Sequence, residues 1–156
     1  MATRPPLSLK ARAVGYLSRR EHSRAELARK LAPHAESPEQ LEQLLDALER
    51  ENWLSNQRFA DSLVHRRGAR YGAARVMQEA KIHKLDSEQL GELQERLRAT
   101  ESERAREVWR KRFGVPPESP EARAKQIRFM VARGFSRAVV SKIIQGADEA
   151  YGDDDA

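Results

Sequence analysis

One glycine-containing corner between two predicted helices is crowded with arginine. Four arginines flank two glycines there: Arg66, Arg67, Arg70 and Arg75 around Gly68 and Gly72. Guanidinium groups bind phosphate or carboxylate oxygens through paired N–H donors. The first turn of the second helix would offer backbone N–H groups to the same anion. The sequence therefore predicts an anion-binding corner for DNA or a protein partner, with a solvated basic face as the alternative.

A second basic cluster lies near the C-terminus and contains two aromatic residues. Its cations are Lys125, Arg128, Arg133, Arg137 and Lys142. Phe129 and Phe135 are interleaved with them, and Phe135 is predicted to be a core residue at a turn, with stacking on a base as the alternative. The N-terminal part carries a further basic set, for which contact with a partner and a solvated face are equally open: Arg12, Arg19, Arg20, Arg24, Arg29 and Lys30.

Residues for catalysis or metal binding are sparse. Asp61 and His65 are four residues apart, a spacing that suits two metal ligands on one helix face, but no third ligand lies near them in sequence, so a surface pair is predicted. The chain contains no cysteine, which excludes disulfides and thiolate ligands. It also lacks a phosphate-binding glycine loop and a nucleophile–base motif. We expect a non-enzymatic protein with no cofactor and no metal.

Charge alternates along the chain in blocks. The net charge of the 156 residues is +5, with 39% hydrophobic and 34% charged residues, a balance that predicts a folded chain. Basic and acidic blocks follow one another over residues 1–34 (+6), 36–51 (−5), 58–84 (+5), 86–103 (−4), 104–142 (+8) and 148–156 (−5). Such alternation is typical of a repeat architecture. No apolar run is long enough for a membrane span and the first residues do not resemble a signal peptide, so we expect a cytoplasmic protein without membrane contact.

Apolar residues recur at helical spacing nearly everywhere, which predicts an all-α fold of nine helices. Helix starts are indicated by five capping patterns: Ser23-x-x-Glu26, Ser37-Pro38-Glu39-Gln40, Asp86-x-x-Gln89, Thr100-x-x-Glu103 and Ser119-Pro120. Asn52 is predicted to end the third helix in a left-handed conformation. Trp53, Trp109 and Phe113 lie where helices meet and are predicted to pack in the core.

A weak internal repeat groups these helices into similar units. Residues 22–31, 71–81 and 135–143 each begin with an aromatic residue or histidine, followed by a small residue and a basic helix. We therefore predict three tandem three-helix repeats packed end to end in an elongated, curved array. The predicted bounds are a flexible N-terminus 1–9, repeats 10–54, 55–99 and 100–148, and an acidic tail 149–156.

Three ordered motifs in this chain resemble those of the RecX family of bacterial regulatory proteins. The first comprises Arg12-Ala13 and the run from His22 to Leu31. The second comprises Arg58-Phe59-Ala60 and the segment from Arg66 to Glu79, and the third runs from Arg128 to Ser136. The resemblance covers roughly residues 10–146 and implies three tandem three-helix repeats.

The resemblance also implies a function. A family member would bind the RecA recombinase and its filament on single-stranded DNA, lie in the filament groove and block extension. It would thereby inhibit the ATPase, strand-exchange and coprotease activities of the recombinase, and so regulate DNA repair, homologous recombination and the SOS response. It would act as a monomer, would bind single- and double-stranded DNA weakly and without sequence specificity, and would need no cofactor.

The chain departs from the family pattern at three places. Ser55-Asn56 replaces acidic residues, with little consequence expected because both residue types cap helices. Arg70 replaces a glycine, which adds charge to the corner and shifts the balance toward DNA contact. Ala73 replaces a proline and remains compatible with the start of a helix.

Two other classes of function stay open at this point. A helix-turn-helix transcription regulator would need one recognition helix that reads base edges and usually a dimer interface. An enriched palindrome selected from random duplexes would favour that class. A DNA-processing hydrolase would require cleavage with a divalent metal that is lost when Asp61 or His65 is changed.

Overall fold

The structure is a computed structural model that describes residues 4–152. Throughout that range the regular secondary structure is helical, which confirms the all-α prediction. The elements in chain order are α1 Leu9–Arg19, α2 Arg24–Leu31, a 3₁₀ helix Ala32–His34, α3 Pro38–Arg50, α4 Asn56–Gly68, α5 Ala73–Ile82, α6 Ser87–Arg112, α7 Pro120–Ala132 and α8 Arg137–Gly152. None of these helices is long and apolar enough to cross a membrane. Asp153, Asp154 and Asp155 of the predicted acidic tail and residues 1–3 of the predicted N-terminal segment lie outside the described residues.

Four of the predicted helix starts are confirmed. The side chains of Ser23, Ser37, Asp86 and Ser119 each accept a hydrogen bond from the backbone N–H three residues further on. Only the Asp86 pattern is a reciprocal capping box, in which the Gln89 side chain accepts from the Asp86 amide in return. In the Ser37 pattern the Gln40 side chain accepts from the Glu36 amide instead, at 2.7 Å. Asn52 has a φ of 64° after α3, as predicted, and the Trp53 N–H donates to the carbonyl of Leu48.

Eight α-helices stand in the described part of the chain where nine helices were predicted, because α6 runs without a break through Thr100. The Thr100 hydroxyl donates to the carbonyl of Arg96 at 3.2 Å, an interaction of a helix interior rather than of a cap. A buried stripe continues on one face of α6 through this point: Leu93, Leu97, Glu101, Ala105 and Trp109. A break at Thr100 would interrupt that stripe, so packing overrides the local capping signal. The predicted repeat boundary at 99/100 falls inside α6.

The chain divides into two compact units. The first comprises the described residues up to Ser62 together with His83–Leu85, and contains α1, α2, the 3₁₀ helix, α3 and the start of α4. Helix α2 packs against α1 and α3 there. Its core consists of Ala13, Leu27, Leu31, Leu45, Leu48 and Leu54.

The second unit comprises Leu63–Ile82 and the described residues from Asp86 onward. In it α6 packs against α5 and α8, and α7 packs against α8. Its core contains Ala105, Trp109, Met130, Phe135, Val140, Ile143 and Ile144. The core predictions for Trp109 and Phe113 are confirmed, since Trp109 is buried and Phe113 packs against this cluster. The prediction for Trp53 is wrong: the chain turns at Asn52, Leu54 fills the core position, and Trp53 remains 43% exposed.

Candidate interface for an anionic partner

Three of the predicted arginines in the second unit lie around the ring of Tyr71. The guanidinium carbon of Arg75 is 4.2 Å from the ring centroid, that of Arg133 is 5.3 Å away and that of Arg67 is 5.8 Å away. A cation over an aromatic face is worth about 0.5–1 kcal/mol at an exposed site. A guanidinium that lies over a ring keeps its in-plane N–H donors available, so Arg75 and Arg133 can still bind an anion.

The arrangement continues from Arg133 to a second aromatic pair. Arg133 and Arg112 each lie 5.1 Å from the centroid of Phe129. The Phe129 ring meets that of Phe113 edge to face, with centroids 5.4 Å apart and an interplanar angle of 88°. We call this set the arginine–aromatic ladder: Arg67, Tyr71, Arg75, Arg133, Phe129, Arg112 and Phe113. It joins the two basic clusters that the sequence presented separately.

The ladder exists because two turns of the second unit meet through their backbones. The Gly72 N–H donates to the carbonyl of Arg133 at 2.8 Å. A Cβ on Gly72 would stand 2.2 Å from the carbonyl carbon and oxygen of Gly134, and one on Gly134 would stand 2.6 Å from Cβ of Arg75. Gly134 also has a φ of 95°, which side chains disfavour. The glycines therefore permit the approach that places Arg133 at the ring of Tyr71.

Arg104 holds the turn that carries Tyr71. Its guanidinium donates to the carbonyls of Gly68 at 2.8 Å, Tyr71 at 2.7 Å and Leu97 at 2.8 Å. Burial lowers the pKa of Arg104, and the nearby charge of Glu101 partly opposes that effect. Both Arg104 and Arg112 were missed at the level of sequence, since each is one cation among many in the basic block of residues 104–142. The only local hint for Arg104 was its place beside the buried stripe of α6.

The phosphate site predicted at the start of α5 is not available at the amides of Gly72 and Ala73, because both already have partners inside the protein. The Ala73 N–H donates to Oε1 of Glu101 at 3.1 Å, and the Gly72 N–H donates to the carbonyl of Arg133. Glu101 is only 9% exposed. An internal carboxylate thus takes the favourable position at the positive end of the helix dipole, where an external anion was expected.

The remaining predicted site residues lie outside the ladder. All five are exposed: Arg66, Arg70, Lys125, Arg128 and Arg137. Arg137 lines a groove beside α5 and α6 rather than the ring of Tyr71. Within the ladder, Arg67 lies 3.2 Å from a carboxylate oxygen of Glu79. Phe135 is 2% exposed, which confirms it as a core residue and removes the alternative of base stacking.

Three residues of the predicted N-terminal basic set are paired within the first unit: Arg20, Arg24 and Lys30. Arg24 reaches Glu42, Asp46 and Glu49 on one face of α3, at 2.6, 2.9 and 3.0 Å. Despite partial burial, these carboxylates raise the pKa of Arg24. The acidic face of α3 thus serves the fold of its own unit.

Arg20 and Lys30 are bound to the buried carboxylate of Glu26. Arg20 makes a bidentate pair with Glu26, and Nζ of Lys30 lies 3.5 Å from it. Burial favours the protonated acid, but the hydrogen bonds and charges of Arg20, with the charges of His22 and Lys30, outweigh it and lower the pKa of Glu26 to about 2. Arg20, Arg24 and Lys30 therefore stabilise the first unit through internal ion pairs.

The Asp61–His65 pair gains no metal-binding neighbours. Among residues 4–152, no group of three or more histidine, aspartate or glutamate side chains is placed to hold a metal ion. The Gln57 amide donates to Asp61 at 3.3 Å.

Two family models match this chain. Residues 10–48 match the first three-helix domain of RecX, and residues 99–144 match the third. A regulatory protein RecX of Ralstonia nicotianae is 68% identical over 97% of this chain and 96% of its own length. One of Ralstonia pickettii is 65% identical over the same shares.

A solved structure agrees in fold. The crystal structure of RecX from Lactobacillus salivarius superposes with a TM-score of 0.72 at 17% identity, covering 90% of this chain and 94% of that one. The identities above extend over nearly the whole length of both Ralstonia proteins. The chain therefore belongs to the RecX family of regulatory proteins.

Proposed function

We propose that this chain binds the RecA recombinase and its filament on single-stranded DNA and inhibits the ATPase, strand-exchange and coprotease activities of the filament. The observation that carries the proposal is the arginine–aromatic ladder, which brings together guanidinium groups from three separate segments of the second unit. Phosphates of DNA and carboxylates of a protein both suit such groups. A nucleoprotein filament offers both anions to one surface.

Weak DNA binding without sequence specificity accompanies this function. Arginine contacts to phosphates position a protein but carry no base information. The aromatic rings of the ladder are already covered by guanidinium groups, and Phe135 is buried, so unstacked bases are not the main target. The proposed regulator is a cytoplasmic, non-enzymatic monomer without a cofactor, built from the three repeats bounded at 54/55 and 99/100.

A recombinase ATPase assay tests the proposal. Adding this chain in a substoichiometric amount relative to RecA should slow the DNA-dependent ATPase of a preformed filament and reduce strand exchange. Arg75→Glu combined with Arg133→Glu reverses two ladder charges and should abolish most of that inhibition. Arg106→Glu with Arg110→Glu is the matched control, because it makes the same charge change at exposed positions of α6 outside the ladder.

Two outcomes would count against the proposal. If the unaltered chain leaves both activities unchanged, it does not act on the filament. If the ladder variant and the control inhibit equally well, the ladder is not the contact surface.

A further inference from the structure

A groove separate from the ladder runs along the second unit. Its volume is about 920 Å³, and α5, α6 and the segment from the end of α7 to the start of α8 form its walls. Its larger aliphatic lining residues are Met77, Val131 and Val139. Val131 is 36% exposed, so part of this apolar lining faces solvent. An aliphatic side chain from outside would find a matching surface there.

The same groove is rimmed by three cations, one from each wall. Lys81 belongs to α5, Arg98 to α6 and Arg137 to α8, and all three are exposed. None of them has an ion-pair partner among the described residues. The one carboxylate in the lining, Glu101, is already bound by the Ala73 amide. The groove therefore combines an aliphatic floor with an unneutralised positive rim.

We propose that this groove binds an acidic peptide segment of a protein partner, with one aliphatic side chain of the segment on the floor and its carboxylates at Lys81, Arg98 and Arg137. Four polar side chains in the lining suit the peptide backbone: Gln78, Gln94, Ser102 and Ser136. Hydrogen bonds from such groups orient an extended segment, while the apolar contact supplies affinity.

Peptide chemistry fits this groove better than nucleic acid. Single strands are held by stacking of bases on aromatic faces, and the only aromatic lining residue, Phe135, is 2% exposed. The acidic face of α3 does not offer such a segment from a second copy of this chain, because Arg24 occupies it. The groove differs from the ladder in its residues, so this binding does not depend on the proposed action on the filament.

Fluorescence anisotropy with the full chain tests the groove. The probe is a short fluorescein-labelled peptide in which Asp-Glu pairs alternate with single leucines. Lys81→Glu with Arg98→Glu should weaken its binding by about tenfold or more. Val139→Asp should weaken it similarly by placing a charge on the floor. Arg106→Glu with Arg110→Glu makes the same charge change at exposed positions of α6 outside the groove and should have only a small effect.

The peptide sequence provides an independent control. Replacing its leucines by serine should weaken binding, since the apolar contact is lost while the charge is kept. Equal losses in the groove and control variants would overturn the proposal, because the binding would then be general electrostatic attraction. It would also fail if the leucine-free peptide bound as well as the original one. Displacement of the peptide from the unaltered chain by an oligothymidine would overturn it too, because the groove would then bind nucleic acid.

Discussion

Gly72 and Gly134 lie backbone against backbone, so close that a Cβ on Gly72 would stand 2.2 Å from the carbonyl of Gly134. The two residues are far apart in sequence, and each sits in the turn that precedes a helix. Their contact fixes Arg133 beside Tyr71 and brings two basic clusters into one ladder. A packing requirement between glycines thus determines where the charges of the second unit are displayed.

The first prediction concerns this contact. Gly72→Ala should lower the free energy of unfolding by about 2–3 kcal/mol, because backbone atoms must move to admit the methyl group. Urea denaturation followed by circular dichroism measures the change. Gly91→Ala is the control: Gly91 lies inside α6, and a Cβ added there would meet nothing within 4 Å. That substitution should raise stability by about 0.5–1 kcal/mol. Equal effects at the two glycines would contradict the close approach.

Local features of this fold could be predicted from sequence, whereas its long-range contacts could not. Ser23, Ser37 and Asp86 predicted helix starts correctly because a cap acts on amides three residues away. The helix start predicted at Thr100 was wrong because a buried stripe on α6 continues past this residue to Trp109. Only the packed structure shows that the stripe outweighs the capping pattern.

The candidate site shows the same division. Arg67, Arg75 and Arg133 were identified from their type and spacing, but their meeting at Tyr71 depends on the contact of Gly72 with Gly134. Arg104 was missed because a cation that binds carbonyls inside the protein has the same sequence signature as a solvated one.

The second prediction concerns Arg104. Arg104→Met keeps much of the side-chain volume but leaves the carbonyls of Gly68, Tyr71 and Leu97 without this donor. The free energy of unfolding should fall by about 1–3 kcal/mol. Arg106→Met, on the exposed face of the same helix, should change it by no more than about 0.5 kcal/mol. Chemical denaturation of both variants measures the difference, and similar values would show that Arg104 is not a structural donor.

The third prediction is a pH dependence of stability in the first unit. Glu26 has a pKa of about 2 in the folded chain against an ordinary value of 4.5. As the pH falls below about 4.5, the unfolded chain takes up the proton first, so the stabilisation is lost progressively toward pH 2. The difference corresponds to about 3 kcal/mol.

His22 adds a second step at higher pH. Burial lowers its pKa below 6.5, against the opposing effect of its hydrogen bond to the carbonyl of Arg20. The unfolded chain therefore binds this proton first as well, and stability declines below pH 6.5. Urea titrations across pH should show a weaker decline below pH 6.5 for His22→Gln and below pH 4.5 for Glu26→Gln. Profiles parallel to that of the unaltered chain would rule out these assignments.

The fourth prediction concerns the exposed arginines beside the ladder. Arg66→Glu with Arg70→Glu should weaken binding to single-stranded DNA and reduce its salt dependence, because fewer counterions are released. Anisotropy titrations with an oligothymidine at several salt concentrations measure both quantities. Arg106→Glu with Arg110→Glu again makes the matched charge change. An unaltered affinity and salt slope in the Arg66/Arg70 variant would identify this corner as a solvated face.

The most direct test of filament binding is an image reconstruction of the chain on a RecA filament assembled on single-stranded DNA. We predict density for the chain in the filament groove, with the arginine–aromatic ladder around Tyr71 against DNA phosphates or acidic recombinase side chains. Filaments without added density, or density in which Arg75 and Arg133 face solvent, would contradict the account.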